Sequence, residues 1–253
     1  MDERMKIRKR FLDQYERAFR NNQFCFTDFL APADSSELLG MVQRGEIPAS
    51  YVTLDGGYEG AERVIARFGS DAEYGWEEPF DLVILKISPL NEKFGENLSH
   101  RDYLGSLMAL QVERDTIGDI RVRGKEAWIF VLDRMASYIT DNLESVRHTH
   151  VRVEKVQALP EDADVHLEEC EMIVPSERID VIVSRLVNAS RSKTAELFRT
   201  QKIMVNGRLM ENYSGQLKEG DVLSIRGWGK VIYDGVTART RKDNIRIHLR
   251  KYV

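Results

Sequence analysis

The chain has 253 residues, enough for two or three small domains, and its 42% hydrophobic and 31% charged residues are typical of a globular protein. No apolar run approaches the roughly 20 residues that cross a bilayer, and the charged first residues lead into no signal-peptide core. The two cysteines, Cys25 and Cys170, are too few for a disulfide framework. We therefore expect a cytoplasmic protein rather than a membrane or secreted one.

The first 75 residues have the pattern of a mixed α/β domain. A helix is predicted to about residue 19, because its apolar residues recur at helical spacing: Phe11, Leu12, Tyr15 and Phe19. A second helix is predicted over residues 35–43, with Gly45 after its end. A strand over residues 51–54 and a short helix over residues 60–68 complete this predicted domain.

Residues 76–160 predict six elements in the order β-α-β-β-α-β. In chain order they cover residues 81–87, 99–112, 119–122, 127–132, 133–143 and 149–156, and Ser99 is the expected cap of the first helix. This order is that of the ferredoxin-like fold, which many RNA-recognition domains share. It does not decide the function, because the fold supports many activities.

Residues 161–170 are acidic and follow Pro160, so they predict a linker before a C-terminal domain over residues 171–253. The charge changes sign near this point. Residues 176–253 hold 16 Lys and Arg against 8 Asp and Glu, whereas the preceding 175 residues hold 21 against 33. This asymmetry indicates a polyanionic partner for the basic part, and the acidic part is a candidate surface for a protein partner.

The C-terminal domain predicts two helices followed by a small sheet. Ser176 is the expected cap of the first helix, which has one apolar stripe: Ile179, Ile182, Val183, Leu186 and Val187. Ser190 is the expected cap of the second helix, which runs from Arg191 to about residue 201. Asn206-Gly207 between two apolar triplets predicts a hairpin, and Lys218-Glu219-Gly220-Asp221 predicts another turn.

The start of the second helix has the chemistry of a phosphate site. Free backbone N–H groups, the helix dipole and the side chains of Ser190-Arg191-Ser192-Lys193 all favour an anion. At 100° per residue, Arg191, Arg199 and Lys202 would lie within about 80° of one another on this helix. A solvated helix face with an ordinary cap accounts for the same residues and remains an alternative.

Four short motifs carry a resemblance across this region. Arg178-Ile179-Asp180, Ser190-Arg191-Ser192-Lys193, Val205-Asn206-Gly207-Arg208 and Lys218-Glu219-Gly220-Asp221 are similar, in order and spacing, to the RNA-binding domain named after ribosomal protein S-four. The resemblance implies contact with the backbone of folded RNA. The expected RNA-binding residues are Arg178, Ser190, Arg191, Ser192, Lys193, Arg199, Lys202, Asn206, Gly207, Arg208, Arg226 and Lys230.

Some residues in or near this set are expected to have other roles. Asp180 is expected to pair with a basic group, and Asn206-Gly207 is expected mainly to form the turn. Trp228, between two glycines, could stack on a base or pack over the end of the sheet. The last strand is expected to place Arg246, His248 and Arg250 outward and so to have a basic outer face.

The whole chain resembles the YlmH family of bacterial proteins. The motifs that carry this likeness are residues 98–105, residues 114–120 and Arg226-Gly227-Trp228-Gly229-Lys230. The resemblance implies a protein that binds rRNA and tRNA on the large ribosomal subunit, in rescue or quality control of stalled translation complexes. Near the end, Arg241-Lys242-Asp243-Asn244 departs from the family's glycine-basic run. Weaker contact candidates in the middle domain are Lys93, His100, Arg101 and Arg114.

No catalytic residue, cofactor or metal ligand is predicted. His100-Arg101-Asp102 resembles a kinase catalytic loop, but Leu107 occupies the position where that motif needs an asparagine. A zinc site could combine His148, His150, His166 and Cys170, although their spacing fits no established zinc finger. S-four-type domains also accompany pseudouridine synthases and RNA methyltransferases. The alternative function is therefore an RNA-modifying enzyme with an unrecognised catalytic domain.

Overall fold

The computed structural model describes residues 3–93, 95–160, 167–210, 213–240 and 243–252. The protein is α+β and divides into two compact units, Met1–Pro160 and Glu161–Val253. Across the described ranges, none of the helices combines the length and the apolarity that a membrane crossing requires.

The first unit begins with a three-stranded sheet and the helices packed on it. The elements are α1 (Glu3–Asn21), β1 (Cys25–Phe26), α2 (Pro32–Gln43), β2 (Val52–Asp55), β3 (Ile65–Phe68) and α3 (Asp71–Tyr74). The sheet order is β1-β3-β2, and both pairings are antiparallel. Phe11 of α1 and Leu38 of α2 are fully buried in the core of this sheet.

The helix predicted over residues 60–68 is wrong, because this segment ends in the strand β3. All four residues of β3 are buried, since the strand lies between β1 and β2. Burial on every side hides the alternation that identifies a strand, so a short apolar run has no distinctive period. Arg67 fits this buried position because its guanidinium forms a two-bond ion pair with Asp71.

The second part of this unit is the predicted ferredoxin-like domain. Its elements are β4 (Leu82–Pro89), α4 (His100–Ala109), β5 (Ile117–Arg123), β6 (Glu126–Leu132), α5 (Asp133–Asn142), β7 (Ser145–Val146) and β8 (Thr149–Val156). The antiparallel sheet has the order β5-β6-β4-β8-β7, so the predicted β-α-β-β-α-β order is confirmed, with β7 added at one edge. The predicted cap is also correct: Ser99 and Asp102 form a capping box at the start of α4.

The two sheets of the first unit share one apolar cluster. Phe29 and Ile65 from the first sheet pack with Ile84 and Phe130 from the second. A hydrogen bond from the backbone N–H of Phe29 to the carbonyl oxygen of Asp115, 2.8 Å long, also joins the two parts. Residues 1–75 and 76–160 therefore have separate sheets but form one compact body.

The second unit contains two helices on a six-stranded antiparallel sheet. Its elements are β9 (Leu167–Val174), α6 (Ile179–Leu186), α7 (Arg191–Arg199), β10 (Ile203–Val205), β11 (Arg208–Leu209), β12 (Val222–Ile225), β13 (Gly229–Arg239) and β14 (Ile245–Tyr252). The sheet order is β11-β10-β12-β13-β14-β9. As predicted, the inward residues Ile245, Ile247 and Leu249 of β14 are buried in the core of this unit.

Two boundaries in this unit differ from the prediction. Residues 167–170 are not a linker, because they begin β9, which pairs with β14 from Leu167↔Tyr252 to Val174↔Ile245; residues 161–166 lie outside the described ranges. Helix α6 begins at Ile179 with Arg178 as its cap, not at Ser176. The reason is that Arg178 has extended backbone and forms a bridge with Gln216 on the adjoining loop.

Candidate RNA interface

The corner between α6 and α7 brings a set of polar and basic groups to one helix start. Asn188 has a positive φ of 49°, and the hydroxyl of Ser184 donates a 2.8 Å hydrogen bond to the carbonyl oxygen of Ala189. The chain therefore reverses tightly and α7 begins immediately afterwards. Ser190 is the N-cap, as predicted, and its hydroxyl oxygen accepts a 3.4 Å hydrogen bond from the backbone N–H of Lys193.

The first turn of α7 can hold an anion. The first four N–H groups of a helix lack acceptors within the helix, and Ser190 satisfies that of Lys193, so the N–H groups of Arg191 and Ser192 remain for a ligand. The Ser192 hydroxyl lies 3.1 Å from that of Ser190. The side chains of Arg191 and Lys193 are exposed, and neither forms an ion pair with any described residue. The cap and the exposed cations lie together as the sequence predicted, and phosphate binding by them stays a prediction.

A second basic group forms where α7 ends and the sheet begins. Lys202 is not on α7, which ends at Arg199; after a positive φ at Gln201 it directly precedes β10, so the predicted shared helix face is wrong for Lys202. The fold instead brings Lys202 beside Arg226, whose backbone N–H donates a 2.8 Å hydrogen bond to the Lys202 carbonyl oxygen. Both side chains are exposed.

Two further predicted residues flank this group. Arg199, on the last turn of α7, is exposed and its guanidinium lies 4.0 Å from the carboxylate of Glu196. Lys230, on β13, is half-buried and lies opposite Ser224 in the sheet. The interface expected from the sequence is thus divided between the start of α7 and the end of β12.

The hairpin motif is used mainly by the fold. Asn206 and Gly207 have positive φ values of 50° and 73°, as a tight two-residue hairpin requires. The Asn206 amide donates a 2.7 Å hydrogen bond to Asp221, and its oxygen accepts a 2.8 Å bond from the N–H of Val222. Arg208, directly after the turn, is half-buried and is the hairpin's cationic candidate for contact with RNA.

Arg178 has a partner within its own helix start. Its guanidinium donates two 3.0 Å hydrogen bonds to the carboxylate of Asp180, which keep the pKa of Arg178 above its usual value. Asp180 therefore pairs with a basic group, as the sequence indicated. Arg178 remains about half-exposed, but part of its hydrogen-bonding capacity is already used.

The expectation that the outer face of β14 is basic is wrong, because neighbouring acids neutralise it. Arg246 lies 3.2 Å from Glu171 of β9, and both His248 and Arg250 contact Asp234 of β13. The hydrogen bond from Arg250 is the main cause that lowers the pKa of Asp234. The excess of cations counted over residues 176–253 leaves out the acids of β9. Counted over the whole unit, residues 161–253, there are 16 Lys and Arg against 14 Asp and Glu.

The structure also shows the surroundings of Trp228 and Asp243, two residues singled out in the sequence. Trp228 is half-buried against the core, and the Lys251 ammonium lies 5.2 Å from the centre of its ring, so packing accounts for at least one face of the indole. Asp243, in the segment that departs from the family pattern, lies 3.5 Å from Arg239. Residues 241 and 242 of that segment lie outside the described ranges.

Of the middle-domain candidates, Arg114 is half-buried, whereas Lys93, His100 and Arg101 are exposed. The Arg114 guanidinium donates hydrogen bonds to the carbonyl oxygens of Ile117 at 2.6 Å and Gly118 at 3.3 Å. Burial, and then the nearby charge of Arg63, lower the pKa of Arg114 to about 10. Burial also lowers the pKa of His100. Lys93 and Arg101 are exposed and fit a contact role better than Arg114 does.

The middle domain cannot bind bases through β6 as RNA-recognition domains do. Those domains stack bases on aromatic residues of the sheet face that lies opposite the helices. Here that face of β6 holds Trp128 and Phe130, which are 3% and 0% exposed. The ring of Tyr58 stacks on Phe130 with centroids 5.0 Å apart, and Phe29 packs beside them. The first sheet therefore occupies the position that bases would take.

The possible zinc site is not assembled within the described part of the chain. There, no group of three or more His, Cys, Asp or Glu residues is arranged to hold a metal ion. Cys170 lies in β9 opposite Leu249, and burial raises the pKa of its thiol. His166, the fourth residue of the proposed set, lies outside the described ranges.

Two groups were missed by sequence reasoning. A groove beside the start of α7 is lined by Arg191 and also by two residues absent from the predicted set. These are Arg185, in the last turn of α6, and Tyr213, in the loop after β11. The heptad spacing of Arg178 and Arg185 was a signal for the first. Nothing in the sequence around Tyr213 indicated that it returns to α7.

Three likenesses to known proteins accompany this geometry. Residues 76–159 match the family described as "Putative RNA-binding domain in YlmH". The chain is 27% identical over 224 residues to "Ribosome-associated protein quality control protein P2" of Bacillus subtilis (strain 168), a match that covers 87% of this chain and 84% of that protein. The solved structure "Cell division protein ylmH from Streptococcus pneumoniae" is 16% identical with a TM-score of 0.48; the match covers 62% of this chain and 93% of that one.

Proposed function

We propose that this chain is a non-catalytic RNA-binding protein of the cytoplasm, because residues 76–159 match the family described as "Putative RNA-binding domain in YlmH". It grips structured rRNA or tRNA on the large ribosomal subunit, in rescue or quality control of stalled translation complexes. The name of the Bacillus subtilis relative, a ribosome-associated quality control protein, supports the ribosome as the partner. The acidic N-terminal region is available to a protein partner in the same complex.

The separation of charge in the second unit carries the proposal. Its cations and acids nearly balance in number, but the acids of β9 and β13 pair with the cations of β14. The exposed cations Arg191, Lys193, Lys202 and Arg226 have no ion pair among the described residues. Unpaired cations on one part of a nearly neutral domain favour a local polyanion rather than general attraction.

The contacts are mainly to phosphates. The start of α7 supplies N–H groups, hydroxyls and two cations, and the Lys202–Arg226 pair supplies a second point of attachment. Phosphate contacts fix position and orientation on the RNA without reading its sequence. Each contact releases counterions, so affinity falls steeply as salt rises.

Sedimentation with ribosomal particles tests the proposal. The variant Arg191→Ala/Lys193→Ala/Arg208→Ala removes three cations of the interface. A control of equal charge change, Lys6→Ala/Lys9→Ala/Arg17→Ala, removes three exposed cations of α1. We expect the wild type and the control to travel with large subunits and the interface variant to stay at the top of the gradient.

The other outcomes have distinct meanings. If the interface variant travels like the wild type, the cations around α7 do not hold the RNA. If all three proteins stay at the top, the ribosome is not the partner. The next experiments are then binding to free RNA and a search for RNA-modifying activity. Circular dichroism of each variant establishes that the substitutions leave the fold intact.

A further inference from the structure

A groove of about 820 Å³ lies beside the start of α7, between α6, α7 and the loop after β11. Its size is in the range of sites that bind small organic ligands. The lining residues that matter for its chemistry are Arg185, Asn188, Arg191, Thr194, Phe198 and Tyr213. All of these belong to the second unit, so the groove is complete within one compact body.

Tyr213 gives the groove an exposed aromatic face. Its side chain is 54% exposed, an unusual degree for a large ring. The ring is nevertheless held in place, because it meets Phe198 edge to face with centroids 5.9 Å apart, and Phe198 is only 6% exposed. A ring held by one aromatic contact and still 54% exposed is suited to stacking, which contributes about 1–3 kcal/mol per base in single-strand binding proteins.

The charge of the groove favours an anionic occupant. Arg185 and Arg191 line it, both are exposed, and neither forms an ion pair with a described residue. The one lining carboxylate, Asp180, is already paired with Arg178. An apolar peptide would leave both guanidinium groups unpaired, so two cations beside an open ring indicate a nucleotide.

The groove and the phosphate site share Arg191. A phosphate on the free N–H groups of Arg191 and Ser192 would lie beside the groove, because Arg191 also lines it. The amide of Asn188, exposed at the corner between the helices, offers both a donor and an acceptor for the edge of a base. Phosphate, ring and base edge thus each have a complementary group.

We infer that this groove takes one unstacked nucleotide of the bound RNA, its phosphate at the start of α7 and its base against Tyr213. The inference rests on the proposed function and deepens it, since it names a bulged or looped nucleotide as the feature recognised. A fully paired stem has no free base to offer, so the protein distinguishes irregular RNA from regular duplex.

A matched pair of RNA hairpins tests the inference. One has a perfect stem, and the other has the same stem with a single bulged 2-aminopurine, whose fluorescence falls when it stacks. The proteins compared are the wild type, Tyr213→Ala, Tyr213→Phe and the control Tyr138→Ala, which removes an exposed tyrosine from the first unit. Thermal unfolding of each variant verifies that it is folded.

We expect the wild type to prefer the bulged hairpin and to quench its fluorescence. Tyr213→Ala should lose affinity for the bulged hairpin by about 5-fold or more, in line with the loss of one stacked base, and bind the perfect stem as before. Tyr213→Phe and Tyr138→Ala should behave as the wild type, because the first retains the ring and the second lies outside the groove.

Three results would overturn the inference. Equal loss on both hairpins, or no loss on either, would mean that no base occupies the groove, while RNA binding itself stands. Binding of a polyglutamate peptide that depends on Tyr213, without preference for the bulge, would make the groove a peptide site. If the wild type bound neither hairpin and also failed to travel with large ribosomal subunits, the proposed function would be wrong as well.

Discussion

The side-chain amide of Asn206 and the carboxylate of Asp221 are joined by a 2.7 Å hydrogen bond that connects two of the four S-four-type motifs. The second carboxylate oxygen of Asp221 accepts a 2.8 Å bond from the backbone N–H of Lys218. One bridge thus holds the hairpin turn against the next turn of the chain. These polar motif residues stabilise the fold, so the neighbouring cations are the better candidates for the proposed RNA contact.

Replacing Asn206 by glycine should destabilise the second unit without changing its RNA contacts. Glycine tolerates the φ of 50° at this position, so the loss reports the two hydrogen bonds of the amide. We expect the free energy of unfolding to fall by about 1–3 kcal/mol, as measured by urea denaturation. RNA affinity of the folded protein should stay within 2-fold of wild type. A large loss of affinity at unchanged stability would show that the amide contacts RNA.

Local signals in the sequence predicted several turns and helix starts correctly in both units. The Asn-Gly hairpin and the caps Ser190 and Ser99 depend on residues within a few positions, and all are present in the structure. The middle domain was predictable for the same reason, because each strand and helix has its own period. The start of α7, on which the proposed phosphate site depends, was predicted from the Ser190 cap alone.

Long-range pairing could not be predicted in this way. The acidic residues of β9 resemble a linker until β14 is placed beside them, 75 positions away at the Glu171–Arg246 pair. Likewise, the outer face of β14 resembles a basic surface until Glu171 and Asp234 are placed beside Arg246 and Arg250. Both errors concern what packs on a surface, which depends on tertiary contacts and not on local period.

Arg191→Ala should reduce both the affinity for RNA and its salt dependence. If Arg191 holds one phosphate, the slope of log K against log salt should become shallower by about 0.7–0.9, the value for one fewer contact. Fluorescence anisotropy with a labelled structured RNA between 50 and 300 mM salt measures this slope.

Arg178→Ala is the comparison for that experiment, because Asp180 already pairs with Arg178. Its effect on the slope should be smaller than that of Arg191→Ala. Equal slopes for the wild type and Arg191→Ala would exclude the phosphate contact at the start of α7.

Gly118→Ala should loosen the junction between the two sheets of the first unit. A Cβ at residue 118 would lie 2.6 Å from the ring of Phe29 and 3.0 Å from Phe130, both of them buried. We expect a loss of about 1–3 kcal/mol in the free energy of unfolding, because neither ring can move without repacking. Gly105→Ala is the control: a Cβ there meets nothing within 4 Å, and alanine favours helix α4. An equal effect of both substitutions would contradict this account of the junction.

The ionised carboxylate of Asp234 should stabilise the second unit at neutral pH, and this contribution should be lost in acid. Its pKa is lowered in the folded state, first by the hydrogen bond from Arg250, so its contribution is complete above its unfolded pKa and is lost as the pH falls through the folded value. Asp234→Asn should therefore unfold at lower urea concentration than wild type at pH 7, and the difference should shrink below about pH 4. A difference that persists unchanged at pH 3 would show that the contribution does not come from ionisation.

Arg114→Ala should affect stability and leave RNA binding intact, although residues 114–120 are among those that carry the resemblance to the YlmH family. The guanidinium of Arg114 donates to the carbonyl oxygens of Ile117 and Gly118. Its loss removes both bonds, although the Ile117 oxygen keeps a 2.9 Å bond from the Arg63 guanidinium. We expect a cost of about 1.5–3 kcal/mol in urea denaturation, the range for hydrogen bonds to charged groups. Arg101→Ala, which removes an exposed cation from α4, should instead leave stability unchanged. If Arg114→Ala weakened RNA binding at full stability, the motif would be part of the RNA interface and not of the junction between the two sheets.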